Sequence, residues 1–326
     1  MSIVERATKR LEELQRAGVS VPWAAAGISE SDMLVHPKAD HRRSAEVVAD
    51  IALTAASVPV RQFERDFAAP PVRPLPKPIL ASVQGKAPIE VTLNLEQLER
   101  SGRVVSTKGR SVVAEEFRRI KRPLLKNARH KDARQTRSGL IMVTSALPRE
   151  GKTFCAINLA LSMATEIDTS VLLIDADVVR PEVLNRLGIL PKKGLLDLLT
   201  QPELDLSDLV LQTNVPKLSI LSAGTSNTLS TELLASEAME RFLESLMTRY
   251  PEQIVIFDGP PLLVTNEASV LASRVGQVIM VIESEGTPRT TVEQAFAVLE
   301  SCPLVMSVLN KAPVAEAALA YGYYYG

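Results

Sequence analysis

Ser145-Ala146-Leu147-Pro148-Arg149-Glu150-Gly151-Lys152-Thr153 lies between a short apolar run and a longer helical one. Upstream, Leu140-Ile141-Met142-Val143-Thr144 follows Ser138-Gly139 and has the brevity and β-branching of a buried parallel strand. Downstream, Phe154 to Ala164 contains neither Gly nor Pro and repeats apolar residues at helical spacing. The nine residues are therefore a strand-to-helix turn, the context in which Gly-Lys-Thr marks a phosphate-binding loop. In such a turn successive backbone N–H groups and the helix N-terminus face the phosphates. Lys152 then reaches the β and γ oxygens of a triphosphate and the Thr153 hydroxyl binds Mg²⁺. The expected nucleotide contacts are Pro148, Arg149, Glu150, Gly151, Lys152, Thr153 and Phe154. Two residues depart from the usual pattern: Ala146 stands where it has its first glycine, and Arg149 sits beside the phosphate path.

Outward from the loop, strands are predicted at 140–145, 170–175, 218–221, 253–258, 277–282 and 304–309. Helices are predicted at 153–166, around 194–199, and at 231–249, 266–273 and 288–301. Continuous apolar strands separated by helices make an α/β fold, a mostly parallel sheet with helices on both faces. Ligands of such folds sit at the carboxyl ends of strands.

The chain has 326 residues, 46% of them hydrophobic, with 37 basic against 38 acidic residues and a net charge of −1. That balance gives no polyelectrolyte argument for a nucleic-acid partner, and none is expected. Basic residues do outnumber acids between Arg100 and Arg137, where only Glu115, Glu116 and Asp132 are acidic. Cys155 and Cys302 lie far apart in apolar contexts and are expected to be buried thiols in a reducing compartment. No apolar run approaches the ~20 residues of a membrane span and no signal-peptide core is seen, so a cytoplasmic protein is expected. The chain divides into an amphipathic N-terminal helix at 1–18, an irregular proline-rich linker at 19–92, a nucleotide domain at 93–313 and a tail at 314–326. Within the domain, Leu93, Leu95, Leu98 and Gly102 suggest a short helix. Another starts at Val112 and puts Val113, Phe117 and Ile120 on one face.

Three carboxylates are expected at the rim that holds the loop. Asp258 ends the strand Ile254-Val255-Ile256-Phe257 and should stand beside the Mg²⁺ held by Thr153. Asp175 and Asp177 follow Val171 to Ile174. One strand-ending Asp often only caps the next helix, but three together with the loop point to a metal-triphosphate site, with Asp177 also a metal ligand. Asp175 or Asp177 can orient an incoming hydroxyl and accept its proton, while charge neutralisation falls to Lys152 and Mg²⁺. Asn310, just after the last strand, presents the donor–acceptor pair that complements adenine, or simply forms a turn. Tyr321, Tyr323, Tyr324 and Tyr325 are four of the chain's five tyrosines, and their glycine-spaced clustering suits a segment that enters an active site as substrate.

Taken together, residues 112–311 resemble the catalytic domain of the bacterial tyrosine kinases, P-loop NTPases of polysaccharide export, and in particular the autokinases of exosortase and exopolysaccharide loci. The Pro148–Thr153 run matches that family's Pro-Gly-Glu-Gly-Lys-Ser/Thr loop, with Arg149 in the glycine position. Asp175-Ala176-Asp177-Val178-Val179-Arg180 matches its Asp-x-Asp-x-Arg motif with the arginine one place late, and Ile254 to Asp258 matches its Walker B strand. Its helical Glu-x-x-Arg-x-x-Arg, used for ring assembly, resembles Glu116, Arg119 and Arg122, or in the other register Glu115, Arg118 and Lys121. The resemblance implies an ATP- and Mg²⁺-dependent protein-tyrosine autokinase that phosphorylates the tyrosine cluster of a neighbouring subunit in trans and regulates exopolysaccharide synthesis or export. It also implies a homo-oligomeric ring and a chain-length-determinant-type inner-membrane activator that holds the kinase peripherally at that membrane. Two other readings stand beside it. A MinD/ParA-like switch ATPase would carry a second lysine early in the loop, where Leu147 stands, and a nucleotide-binding scaffold would have little catalysis.

Overall fold

The structure, a computed structural model, describes residues 88–103, 111–129, 137–226 and 228–313. The N-terminal helix, the proline-rich stretch and the tyrosine tail lie outside the described residues. Eight strands form one sheet: β1 Ile89–Val91, β2 Leu140–Ser145, β3 Ser170–Asp175, β4 Leu211–Thr213, β5 Leu218–Leu221, β6 Gln253–Asp258, β7 Gln277–Glu283 and β8 Val305–Asn310. Their order is β1-β4-β5-β3-β6-β2-β7-β8. Every neighbouring pair is parallel except β4 with β5.

Central strands bury both faces, which is why they read as unbroken apolar runs. Leu140, Met142, Leu172, Ile174, Val255 and Phe257 pack into one hydrophobic layer. Ile141, Val143, Val171, Leu173, Ile254 and Ile256, the alternate residues of the same strands, pack into the other. That second layer includes most of helix α3, Lys152–Ala164, whose residues are nearly all buried. Helix α2, Val112–Arg129, covers it with Phe117, Leu124 and Leu125.

The six expected strands are present within a residue of their predicted ends. Two short ones were not expected. β4 is three residues long, and β1, which pairs with it, falls in the stretch assigned to the irregular linker. Three residues cannot display a period, and β1 is held by pairing with a strand more than a hundred residues away. The helix expected at 231–249 is two, α6 Ser230–Ala235 and α7 Glu237–Arg249. Ser236 breaks them apart with extended backbone (φ −72°, ψ 165°), and its hydroxyl accepts from Met239 N at 3.3 Å. Conversely, α2 continues through exposed Pro123 to Arg129. The short helix suggested near Leu98 is α1, Leu95–Arg100, capped by Asn94, whose side chain accepts from Gln97 N at 3.0 Å.

Candidate active site

The loop 146–151 connects β2, in the middle of the sheet, to α3, and its backbone is specialised at two residues either side of Glu150. Gly151 has φ 99° and Arg149 has φ 73°. Gly151 must be glycine for a second reason as well: a Cβ there would stand 2.0 Å from Asn310 Nδ2. Arg149, in contrast, takes a left-handed conformation despite its Cβ, at a cost of about 1–2 kcal/mol.

A cleft of about 360 Å³ opens beside the loop, lined by Pro148, Arg149, Gly151, Lys152, Thr153, Phe154 and Asp177. The structure thus brings together six of the eight expected nucleotide contacts, all but Glu150 and Asn310, and one of the three carboxylates. Asp175 and Asp258 lie beneath, 1% and 0% exposed. They end β3 and β6 and are direct cross-strand partners, so two carboxyl groups share one dry site. Asp258 has neither oxygen hydrogen-bonded among the described residues, and Asp175 Oδ1 is likewise without a partner. Burial pushes Asp258 up to about 6 against the pull of Lys152 and of the Thr153 hydroxyl, which stands near it but outside hydrogen-bond geometry. Burial and the neighbouring Asp258 also drive Asp175 well above the usual carboxylate range.

Lys152 Nζ donates to Asp177 Oδ2 at 2.7 Å, and both side chains are nearly buried. Burial alone would depress the ammonium, but Asp258, Asp177 and Asp175 outweigh it and keep Lys152 above its ordinary value. One lysine thus faces three carboxylates, and three carboxylate oxygens have no hydrogen-bond donor. Such orphaned buried acceptors are uncommon in folded proteins, and hard oxygen ligands beside a hydroxyl are what Mg²⁺ takes. Asp258, Asp175 and Thr153 therefore fit a divalent cation.

Three expectations need correction, those for Asn310, Asp175 and Cys302. Glu150 turns its carboxylate into the loop, Oε2 accepting from Leu147 N at 2.7 Å and Oε1 from the Thr287 hydroxyl, so its expected nucleotide contact rests on its backbone N–H. Asn310 does not line the cleft, and its Nδ2 donates to the backbone oxygen of Glu150 at 2.8 Å, which leaves the group that adenine would accept from engaged elsewhere. Asp175, expected to face the hydroxyl, is buried and caps α4, Val183–Leu187, by accepting from Val183 N at 3.0 Å. One Asp175 oxygen thus caps a helix, while the other has no partner among the described residues. Cys155 is buried as expected, its thiol pushed up to about 12, but Cys302 is only partly buried. The cleft also contains residues that sequence reasoning did not assign: Val179, Arg180, Glu182, Arg186, Pro261, Val264 and Thr265. Only Arg180 carried a signal, as the late arginine of the Asp-x-Asp motif.

No family model matches the chain. Among known proteins it is 31% identical over 186 residues to the tyrosine-protein kinase YwqD of Bacillus subtilis, which covers 56% of this chain and 76% of that one. It is 30% identical over 190 residues to the tyrosine-protein kinase CpsD of Streptococcus agalactiae, covering 57% and 80%. It is 26% identical over 224 residues to a putative tyrosine-protein kinase, CapB, of Staphylococcus aureus, covering 68% and 94%. Among solved structures, the BceF tyrosine kinase domain is 26% identical with a TM-score of 0.53, covering 68% of this chain and 91% of that one. The kinase domain of the Escherichia coli tyrosine kinase ETK, at 23% identity, shares the fold with a TM-score of 0.52 over 70% of this chain and 92% of its own.

Proposed function

The chain belongs to the bacterial tyrosine-protein kinase family, and on that premise we propose that it is an ATP-dependent autokinase whose acceptors are Tyr321, Tyr323, Tyr324 and Tyr325 of a neighbouring copy. The observation that carries this reading is the Lys152–Asp177 ion pair at the cleft, above two unsatisfied carboxylates. Bound Mg²⁺ would neutralise phosphate charge, held by Thr153 with Asp258 and Asp175, whose oxygens lack donors, rather than by Asp177, which pairs with Lys152. Lys152 moves from Asp177 to the phosphate oxygens when nucleotide enters, and this exchange frees a carboxylate at the cleft wall. Asp177 then accepts the phenol proton as the tyrosine oxygen bonds to the γ-phosphorus and the bond to the β-phosphate oxygen breaks, leaving ADP. Asp175 holds α4 in place and keeps the rim's negative charge beneath Lys152.

Self-association is part of the proposal. Glu116, Arg119 and Arg122 are exposed on α2 and make no ion pair among the described residues. The burial of Lys121, 5% exposed, donating to Ser162 O at 2.7 Å and Thr165 Oγ1 at 3.0 Å and pairing with Glu166, supports this register over the alternative one. The first triad is therefore our candidate for ring contacts. No described helix is long and apolar enough to cross a membrane. We place the protein in the cytoplasm, held peripherally at the inner membrane by a chain-length-determinant-type activator, and read its role as regulation of exopolysaccharide synthesis. The functional unit starts ahead of Ile89, since β1 belongs to the sheet.

The test is incubation of the chain with Mg-ATP and mass-spectrometric mapping of phosphate, with Lys152→Ala as control. Phosphate on residues 321–325 that is absent in the control is the expected result. Steady phosphate release with an unmodified tail would favour a switch ATPase instead.

A further inference from the structure

Asn310 and Lys311 leave β8 side by side and grip two consecutive carbonyls of the phosphate loop. Asn310 Nδ2 donates to Glu150 O at 2.8 Å, and Lys311 Nζ donates to Arg149 O at 3.0 Å. The chain has no cis peptide bonds, and in a trans peptide the carbonyl and the following N–H point in opposite directions. Fixing the oxygens of 149 and 150 toward β8 therefore fixes the N–H groups of Glu150 and Gly151 away from it. In the strand order β3-β6-β2-β7-β8 the loop follows β2, so away from β8 is toward β6 and β3, where Asp177 and Pro261 wall the cleft. These are the donors that a bound phosphate needs.

The grip is itself braced. Lys311 pairs with Glu283 at 2.9 Å, and Asn310 O accepts from Ser284 N at 2.8 Å, so both residues are tied to the end of β7. Lys311 and Arg149 share another feature: both are non-glycine residues with positive φ, 58° and 73°. Strained conformations of this kind persist only where the surroundings over-determine them.

We propose that Asn310 and Lys311 are positioning residues for nucleotide binding, presetting the loop's phosphate donors, and that Lys311 specifically offsets the strain of an arginine at position 149. The inference rests on the reading of 145–153 as a nucleotide site. It also replaces base recognition as the role of Asn310, since a clamp on the loop acts on phosphate and is indifferent to the base.

Equilibrium titration of the 326-residue chain with fluorescent ADP and Mg²⁺, with inorganic pyrophosphate as competitor, tests this. Asn310→Asp keeps the shape but sets an acceptor against Glu150 O. It is expected to weaken ADP and pyrophosphate by the same factor, about tenfold. Lys311→Ala, at a half-exposed side chain, is expected to weaken both about fivefold with Arg149 in place and less than twofold in the Arg149→Gly background. Thermal melting of each variant establishes that the weakened binding belongs to folded protein. Loss of ADP affinity with pyrophosphate binding intact would return Asn310 to the base and overturn the clamp. Equal losses from Lys311→Ala in both backgrounds would overturn the offset to Arg149. A wild-type chain that binds neither probe would overturn the site reading on which the inference rests.

Discussion

The two flanks of the phosphate loop treat their polar groups in opposite ways. On the β3–β6 side, Asp175 and Asp258 are buried with three oxygens unsatisfied and a single lysine against three carboxylates. On the β7–β8 side, Glu150, Thr287, Asn310 and Lys311 are matched donor to acceptor down to the backbone. Both flanks are carboxyl ends of parallel strands, so topology does not distinguish them. The difference is one of completion: the satisfied flank is framework, and on the proposed function the unsatisfied flank is the one that a cation and a phosphate would complete.

The comparison breaks most directly at Lys152. Lys152→Ala should abolish tail phosphorylation, by at least about a hundredfold. It should also destabilise the nucleotide-free protein by about 3 kcal/mol, because it strands Asp177 beside two other carboxyls; both are read by phosphate mapping and denaturant titration.

A pH series sharpens the same contrast. Asp258, held at about 6, and Asp175, also raised, bind protons more readily folded than unfolded. The stability these groups contribute in EDTA should therefore be fully present below about pH 4 and be lost as pH rises through about 6, by on the order of 2 kcal/mol. Asp258→Asn should flatten that slope, which urea midpoints across the range will show.

On the satisfied flank, Glu150→Gln turns an amide N–H₂ toward Leu147 N or the Thr287 hydroxyl. A loss of about 1–2 kcal/mol of stability is expected, with no change in the pH slope. The smallest effect concerns the thiols. Cys302 should react with a thiol reagent in the native protein well before Cys155, whose burial holds its thiol near 12.

Much of this was legible in the sequence because its signals are local. β2, the loop and α3 are contiguous, and Asp175 and Asp258 each end an apolar run, with Asp177 two residues past the first. What could not be read is what distant segments do to one another. That Asn310 meets Glu150 across 160 positions depends on β8 lying two strands from β2, and sequence order gives no strand order. Glu150 was expected at the nucleotide with the rest of the loop, and only the structure shows its carboxylate bound to Leu147 N and the Thr287 hydroxyl. β1 escaped notice because its partner, β4, is itself too short to show a period. The choice between Glu116-Arg119-Arg122 and its neighbouring register turned on the burial of Lys121, which requires knowing where α3 ends.

The most direct test of the account is calorimetry of Asp258→Asn beside wild type, without ligand and with Mg-ADP. The account predicts that the substitution raises the melting temperature of the ligand-free protein near pH 7, by removing a buried unpaired charge, and eliminates the rise that Mg-ADP confers on wild type. A variant that melts no higher than wild type when ligand-free, yet is stabilised by Mg-ADP as wild type is, would contradict it.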